Sequence, residues 1–143
     1  MTRLKKSLVA VLPLVAALAS IVPMSTSASA APGTSCNPSG YGCMTFFYNS
    51  NRAGSQTYFN ANVSDLAPYT FLTSGSGQGQ GIKNNAASAD NDASTIMTIY
   101  YNSGYAGPCD TLEDFSIANQ LRNTYNQNAS FRWNYTRSDC YVF

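Results

Sequence analysis

The sequence predicts an all-β sandwich of two Greek-key units held by two disulfides. Three observations lead there: a duplicated aromatic segment, turn-forming Asn, Ser and Gly clusters after each copy, and four cysteines in a chain that reads as exported. The segment Met44-Thr-Phe-Phe-Tyr-Asn-Ser-Asn-Arg-Ala-Gly54 returns as Met97-Thr-Ile-Tyr-Tyr-Asn-Ser-Gly-Tyr-Ala-Gly107. Seven of the eleven positions are identical, at an offset of 53. Self-similarity of this kind predicts two like units, one over about 36–92 and the other over about 93–143.

The chain opens on a basic head (Arg3, Lys5, Lys6), an apolar run from Leu8 to Val22, and a small-residue cleavage pattern at Ala28-Ser29-Ala30. Residues 1–30 therefore read as a secretory signal. The apolar run falls short of the roughly 20 residues that span a bilayer. The expected mature protein is one domain over 31–143, secreted and extracellular, with no membrane anchor. Loss of the three N-terminal cations leaves five basic and seven acidic residues, a net charge of −2. Such a surface has no field for a phosphate-driven nucleic-acid binder.

Cys36, Cys43, Cys109 and Cys140 allow three pairings. Cys36–Cys43 and Cys109–Cys140 are favoured, because Pro38 and Gly40 turn the chain back between the first two. The spacing and the oxidising compartment suit disulfides rather than a metal–thiolate site.

Each copy of the repeat opens with a β-branched or aromatic run, Thr45–Tyr48 and Ile96–Tyr101, and meets a turn cluster, Asn49-Ser50-Asn51 and Asn102-Ser103-Gly104. Gly54 and Gly107 close turns where a positive φ is required. Second strands are expected over 56–59 and 109–112, making each unit begin as a hairpin. Thr73–Gly81 is Gly/Ser-rich with no packing residue and reads as a mobile loop without a counterpart in the second unit. Polar elements follow at Asn84–Ser88 and Asn126–Ser130, each leading into a short strand, the second at Phe131-Arg132-Trp133. Leu112, Phe115, Ile117 and Leu121 stand near helical spacing and suggest a helical turn within 110–121.

Catalysis is poorly provided for, and no catalytic residue is assigned. Histidine is absent, so imidazole relays and His-ligated metals are excluded. Glu113 and Asp114 are adjacent and cannot face each other across a glycosidic bond. No Ser-x-x-Lys or Gly-x-Ser-x-Gly pattern occurs. The chain reads as a protein that acts by binding rather than as an enzyme.

A Cys-x-x-Ser-Gly-Tyr-x-Cys start at Cys36, an aromatic hairpin ending in Ala53-Gly54, the Asn84-Asn85-x-x-Ser88 element and a second aromatic hairpin form a recognisable order. From Cys36 to about Trp133 the chain resembles the βγ-crystallin-like secreted proteins of actinobacteria grouped as peptidase inhibitor family I36, typified by the Streptomyces metalloproteinase inhibitor. The resemblance implies a βγ-crystallin-like double Greek-key β-sandwich, no obligatory cofactor, and a secreted protease, of thermolysin-like type, as partner of a monomer. It transfers no inhibitory bond. The family's typical reactive bond lies beside a second, closely spaced disulfide, whereas Cys109 has its expected mate at Cys140 and is followed by Asp110. The inhibitory site is therefore left unassigned, its expected form being a rigid, disulfide-pinned surface loop.

Calcium and sugar binding are the alternatives. Many βγ-crystallin domains bind calcium through two Asn/Asp, two variable residues, Ser/Thr and Ser, and Asn84, Asn85 and Ser88 fit that pattern, with Ala89 in place of the last serine. No carboxylate lies in the element, so a site there is a weak calcium site. The competing reading is that Asn and Ser cap local turns. Tyrosines interleaved with Asn and Gln also suit carbohydrate or cell-surface binding, and a small secreted toxin is a third class. The glycosylation patterns at Asn62, Asn128 and Asn134 read as incidental in so asparagine-rich a chain.

Overall fold

The computed structural model describes residues 42–143. The expected signal segment, Cys36 and the start of the 36–43 turn lie outside the described residues. Eight strands follow one another: β1 (Met44–Asn49), β2 (Ala53–Phe59), β3 (Ser88–Asn91), β4 (Met97–Asn102), β5 (Ala106–Leu112), β6 (Ile117–Ala118), β7 (Ser130–Trp133) and β8 (Tyr141–Val142). They make two four-stranded sheets, in the orders β2-β1-β3-β6 and β7-β4-β5-β8. No helix among the described residues is long and apolar enough to cross a membrane.

The duplicated segments become the two hairpins, β1–β2 and β4–β5, in matching registers. Met44 faces Phe59 and Met97 faces Leu112, and the ladder slips at Tyr48 and again at Tyr101. After each slip the chain turns through left-handed residues, Asn51 and Arg52 in the first hairpin, Gly104 and Tyr105 in the second. Gly54 and Gly107 both adopt φ +81°. A Cβ at Gly107 would stand 2.7 Å from the Asn102 amide, so glycine is required there for space as well as for conformation.

One serine clasps each turn. Ser88 Oγ donates to the Asn49 carbonyl at 2.6 Å and accepts from Arg52 N at 3.0 Å. Ser130 Oγ donates to the Asn102 carbonyl at 2.7 Å and accepts from Tyr105 N at 3.0 Å. The strand after each Asn/Ser element thus locks the hairpin of its own unit. The two units also exchange strands. β6, from the second unit, pairs with β3 of the first, and Val63 of the first unit bridges Phe131 of β7 through two 3.0 Å hydrogen bonds.

Between the sheets the core gathers alternate residues of the central strands. Phe46, Phe59 and Phe131 form its centre, with ring centroids 5.2–6.0 Å apart. Met44, Met97, Ile99, Leu66, Ile82, Leu112 and Leu121 close around them. Because Phe46 and Phe59 come from one unit and Phe131 from the other, neither half completes this core alone.

Two expectations are corrected and a third is met in part. Residues 110–121 form no helix: Leu112 and Leu121 are buried, but Phe115 and Ile117 face solvent at 54% and 41% exposure. Asp110, wholly buried on β5, organises that stretch instead by accepting the backbone N–H groups of Arg122, Asn123 and Thr124 at 2.9–3.1 Å and the Thr124 hydroxyl at 2.7 Å. Second, the Gly/Ser segment is a fitted cover. Ser55 N donates to Ser76 O, Phe71 and Gly79–Gln80 exchange backbone bonds, and Gly77 lies on the Tyr48 ring, where a Cβ would come within 2.1 Å of Cγ. The second unit lacks this cover, so Tyr101, equivalent to Tyr48 in the repeat, stays 39% exposed. Third, one disulfide is seen among the described residues where two were expected. Cys109 and Cys140 are bonded, no described cysteine is free, and the expected mate of Cys43, Cys36, lies outside the described residues.

Removing either clasp takes the serine partner from a part-buried carbonyl and a part-buried N–H. Ser88→Ala and Ser130→Ala should each lower stability by about 2 kcal/mol in urea unfolding. Loss in one variant alone would show that the two hairpins are not held alike.

Candidate functional site

Past Trp133 the chain leaves the sandwich and returns as β8, parallel to β5. Residues 134–140 close a surface loop whose far end is pinned by the Cys109–Cys140 disulfide, Cα to Cα 4.7 Å. Its near end is fixed by Asn134 N, which donates to Ile96 O at 2.9 Å. A row of threonine hydroxyls ties the middle: Thr98 to Thr111 at 2.9 Å and Thr111 to Thr136 at 3.0 Å, with Thr98 also donating to the Tyr135 carbonyl. Arg137 reaches back to the Gly107 carbonyl at 3.0 Å and forks onto Asp139 at 2.9 and 2.7 Å.

That fork holds the Asp139 carboxyl below its ordinary range and raises the Arg137 guanidinium, in each case chiefly through their shared hydrogen bonds. The depressed acid fixes the sign: the tie is present above the ordinary carboxylate range and is lost only as pH falls through the lowered value. Both groups lie at the surface, so the pair orients the loop more than it stabilises the fold.

Tyr135, 40% exposed, projects from this loop with its ring 3.4 Å from the Arg132 guanidinium carbon. Arg132 also lies over Tyr105 and Tyr100 and donates to the Tyr100 hydroxyl at 3.1 Å. The guanidinium is thus held from behind, and it holds the exposed tyrosine ring in place. What the arrangement offers is a short, tied peptide segment with one prominent aromatic. Cys109, Cys140 and Asp139 cluster closely, but the bridge consumes both sulfurs and leaves no thiolate for a metal.

The residues predicted for calcium are engaged in different parts of the fold. Asn84 is exposed, in the left-handed region at φ 64°, and its N–H donates to Asn128 O. Asn85 Nδ2 donates to the Gly81 and Lys83 carbonyls at 2.9 and 3.3 Å. Ser88 is buried in its clasp. Of the three, only Asn85 borders the polar notch of about 300 Å³ at the hairpin end, together with Tyr48, Asn49, Ser50, Tyr125 and Asn126. Asn126 Oδ1 is buried there without a hydrogen-bond partner.

With fold and loop in view, the sequence comparison is decisive. The model of peptidase inhibitor family I36 matches residues 29–112, more than half the chain. The chain belongs to peptidase inhibitor family I36. No curated protein matches it. Among solved structures, this I36 member is similar to a βγ-crystallin domain from work on the evolution of the eye-lens fold, at 18% identity and TM-score 0.56, over 68% of this chain and 90% of that one. It is also similar to a βγ-crystallin from Ciona intestinalis, at 16% identity and TM-score 0.52, over 64% of this chain and 99% of that one. A βγ-crystallin from an archaeon aligns at 13% identity and TM-score 0.50, over 66% and 99% of the two chains. Likeness at such identities establishes the βγ-crystallin fold alone.

Sequence reasoning reached Cys109 and Cys140 but not the loop they close. The available signal was the polar stretch 134–139 ahead of Cys140. Removing the bridge by Cys109→Ser with Cys140→Ser should lower stability by about 3.5 kcal/mol on the loop-entropy estimate. The double variant should also be cut by proteases within 134–143. An unchanged urea midpoint would show that the hydroxyl row alone holds the loop.

Proposed function

We propose that this I36 protein is a secreted inhibitor that presents the 134–140 loop to the cleft of a thermolysin-like metalloprotease. Family membership supports peptidase inhibition. The observation that carries the site is that this loop is closed by a disulfide, hydrogen-bonded along its length, and tipped by an exposed tyrosine seated on a guanidinium. A segment ordered before docking loses little freedom on binding, and a bridge at its end keeps the two sides of a cut bond from separating. Export through residues 1–30, a Cys36–Cys43 bridge and a monomeric state belong to the same reading.

The test mixes residues 31–143 with thermolysin and with a serine protease and measures residual hydrolysis of a peptide substrate. Inhibition at micromolar protein is expected for the metalloprotease. Tyr135→Ala should weaken it at least tenfold while leaving the fold intact. Full activity of every protease tested would remove this function and leave the fold untouched.

A second reading is a weak calcium site in the polar notch, favoured by the unpartnered Asn126 Oδ1 beside Asn85. Neutral amide and carbonyl oxygens without a carboxylate fit a low-affinity calcium ligand set. Calorimetry at millimolar calcium should show binding that Asn126→Ala abolishes. Absence of heat and of a thermal shift would dismiss it.

A further inference from the structure

At the end of the sandwich opposite the folded hairpins, β2 runs out at Phe59 and β7 runs out at Trp133. An open groove of about 570 Å³ lies between the segments that follow them. Trp133 is half-buried at its side, packed on Phe131 edge-to-face at 6.4 Å, and its backbone N–H donates to Asn62 Oδ1 at 2.8 Å. Asn60, Ala61, Asn62, Thr95 and Asn134 line the groove with Trp133. Thr95 and Asn134 are hydrogen-bonded to each other. Among the described residues, no ionisable side chain lines the groove.

We propose that this groove binds a neutral oligosaccharide of β-linked, gluco-configured pyranoses. The chemistry of the lining selects that class. Such sugars carry their ring hydrogens axially, so each ring has an apolar face that stacks on an indole, and an equatorial rim of hydroxyls that meets amides as both donor and acceptor. A lining without charge gives no purchase to an anionic glycan or a nucleic acid. The absence of carboxylates also means the bound sugar is held and not hydrolysed. The tyrosines that suggest sugar binding in the sequence are dispersed, Tyr100 fully buried and Tyr101, Tyr125, Tyr135 and Tyr141 scattered over the surface at 39–40% exposure. The groove forms instead around the tryptophan. It goes beyond the inhibitory reading: a protein that retains a glycan here is held at a polysaccharide surface while its loop remains available.

Trp133 is the only tryptophan in the chain, so its fluorescence reports this groove alone. Cellohexaose and chitohexaose are titrated into the protein, with a proline-rich peptide as the competing occupant. The expected result is a saturable change in emission with at least one of the two sugars at submillimolar to millimolar concentration. Ala61→Glu, an exposed position, should fill and charge the groove and weaken that binding at least tenfold. Asn60→Ala should weaken it about fivefold. Inhibition of a protease, where present, should stay within twofold in Ala61→Glu, which separates this site from the loop. No emission change with either sugar, a response to the peptide alone, or a sugar response undiminished in both variants would overturn the proposal.

Discussion

The whole arrangement depends on one hydroxyl in each half holding a hairpin in a backbone conformation it would otherwise leave. Asn51, Arg52 and Tyr105 all sit at positive φ without being glycine. Each such residue costs on the order of 1 kcal/mol relative to ordinary conformations. Ser88 and Ser130 offset that cost by bonding both a carbonyl before the turn and an N–H within it. The serines reside on β3 and β7, so the hairpins form stably only once the rest of each unit is in place. The clasp therefore couples a local turn to the long-range pairing of the sheet, and it fixes the hairpin end where the polar notch opens.

What differs between the halves matters as much as what repeats. The hairpin edges, β2 and β5, face the same hazard: an unpaired strand edge is a template for association. The first unit covers β2 with the Gly-rich segment, whose backbone bonds Ser55 and Gln56. The second covers β5 with β8 and secures it by a disulfide. Two devices meet one requirement, and only the second puts a tied, polar loop at the surface. Asp110 and Thr57 show the same divergence. They are equivalent positions in the repeat, and both fasten the loop beside them, Thr57 by its hydroxyl to Thr70 and Leu72, Asp110 by its carboxylate to residues 122–124.

The hairpins were legible because duplication and turn chemistry agreed at Met44–Gly54 and Met97–Gly107, and the Cys109–Cys140 pairing was legible because Pro38 and Gly40 favour Cys36 and Cys43 as the other pair. Strand exchange was not. Its carriers are a single bridge at Val63 and two residues at Ile117–Ala118, too short for any periodicity. The spacing of Leu112, Phe115, Ile117 and Leu121 misled because two of them pack and two do not. The Gly/Ser segment misled for a different reason. Its glycines serve close approach to Tyr48, and composition alone cannot tell that from flexibility. The 134–140 loop and the Trp133 groove depend on residues far apart in sequence, such as Asn62 beneath the Trp133 amide, and no local pattern announces them.

A peptide segment of seven residues that is free in solution loses about 1–2 kcal/mol of backbone freedom per residue when a partner fixes it. In this fold most of that loss is incurred during folding, when Cys140, Thr136, Arg137 and Asn134 find their partners on β5 and in the β3–β4 connection. A partner docking on Tyr135 would not first have to order the chain that carries it. The same economy suits a role in binding: the loop's surface is held in place before any partner meets it.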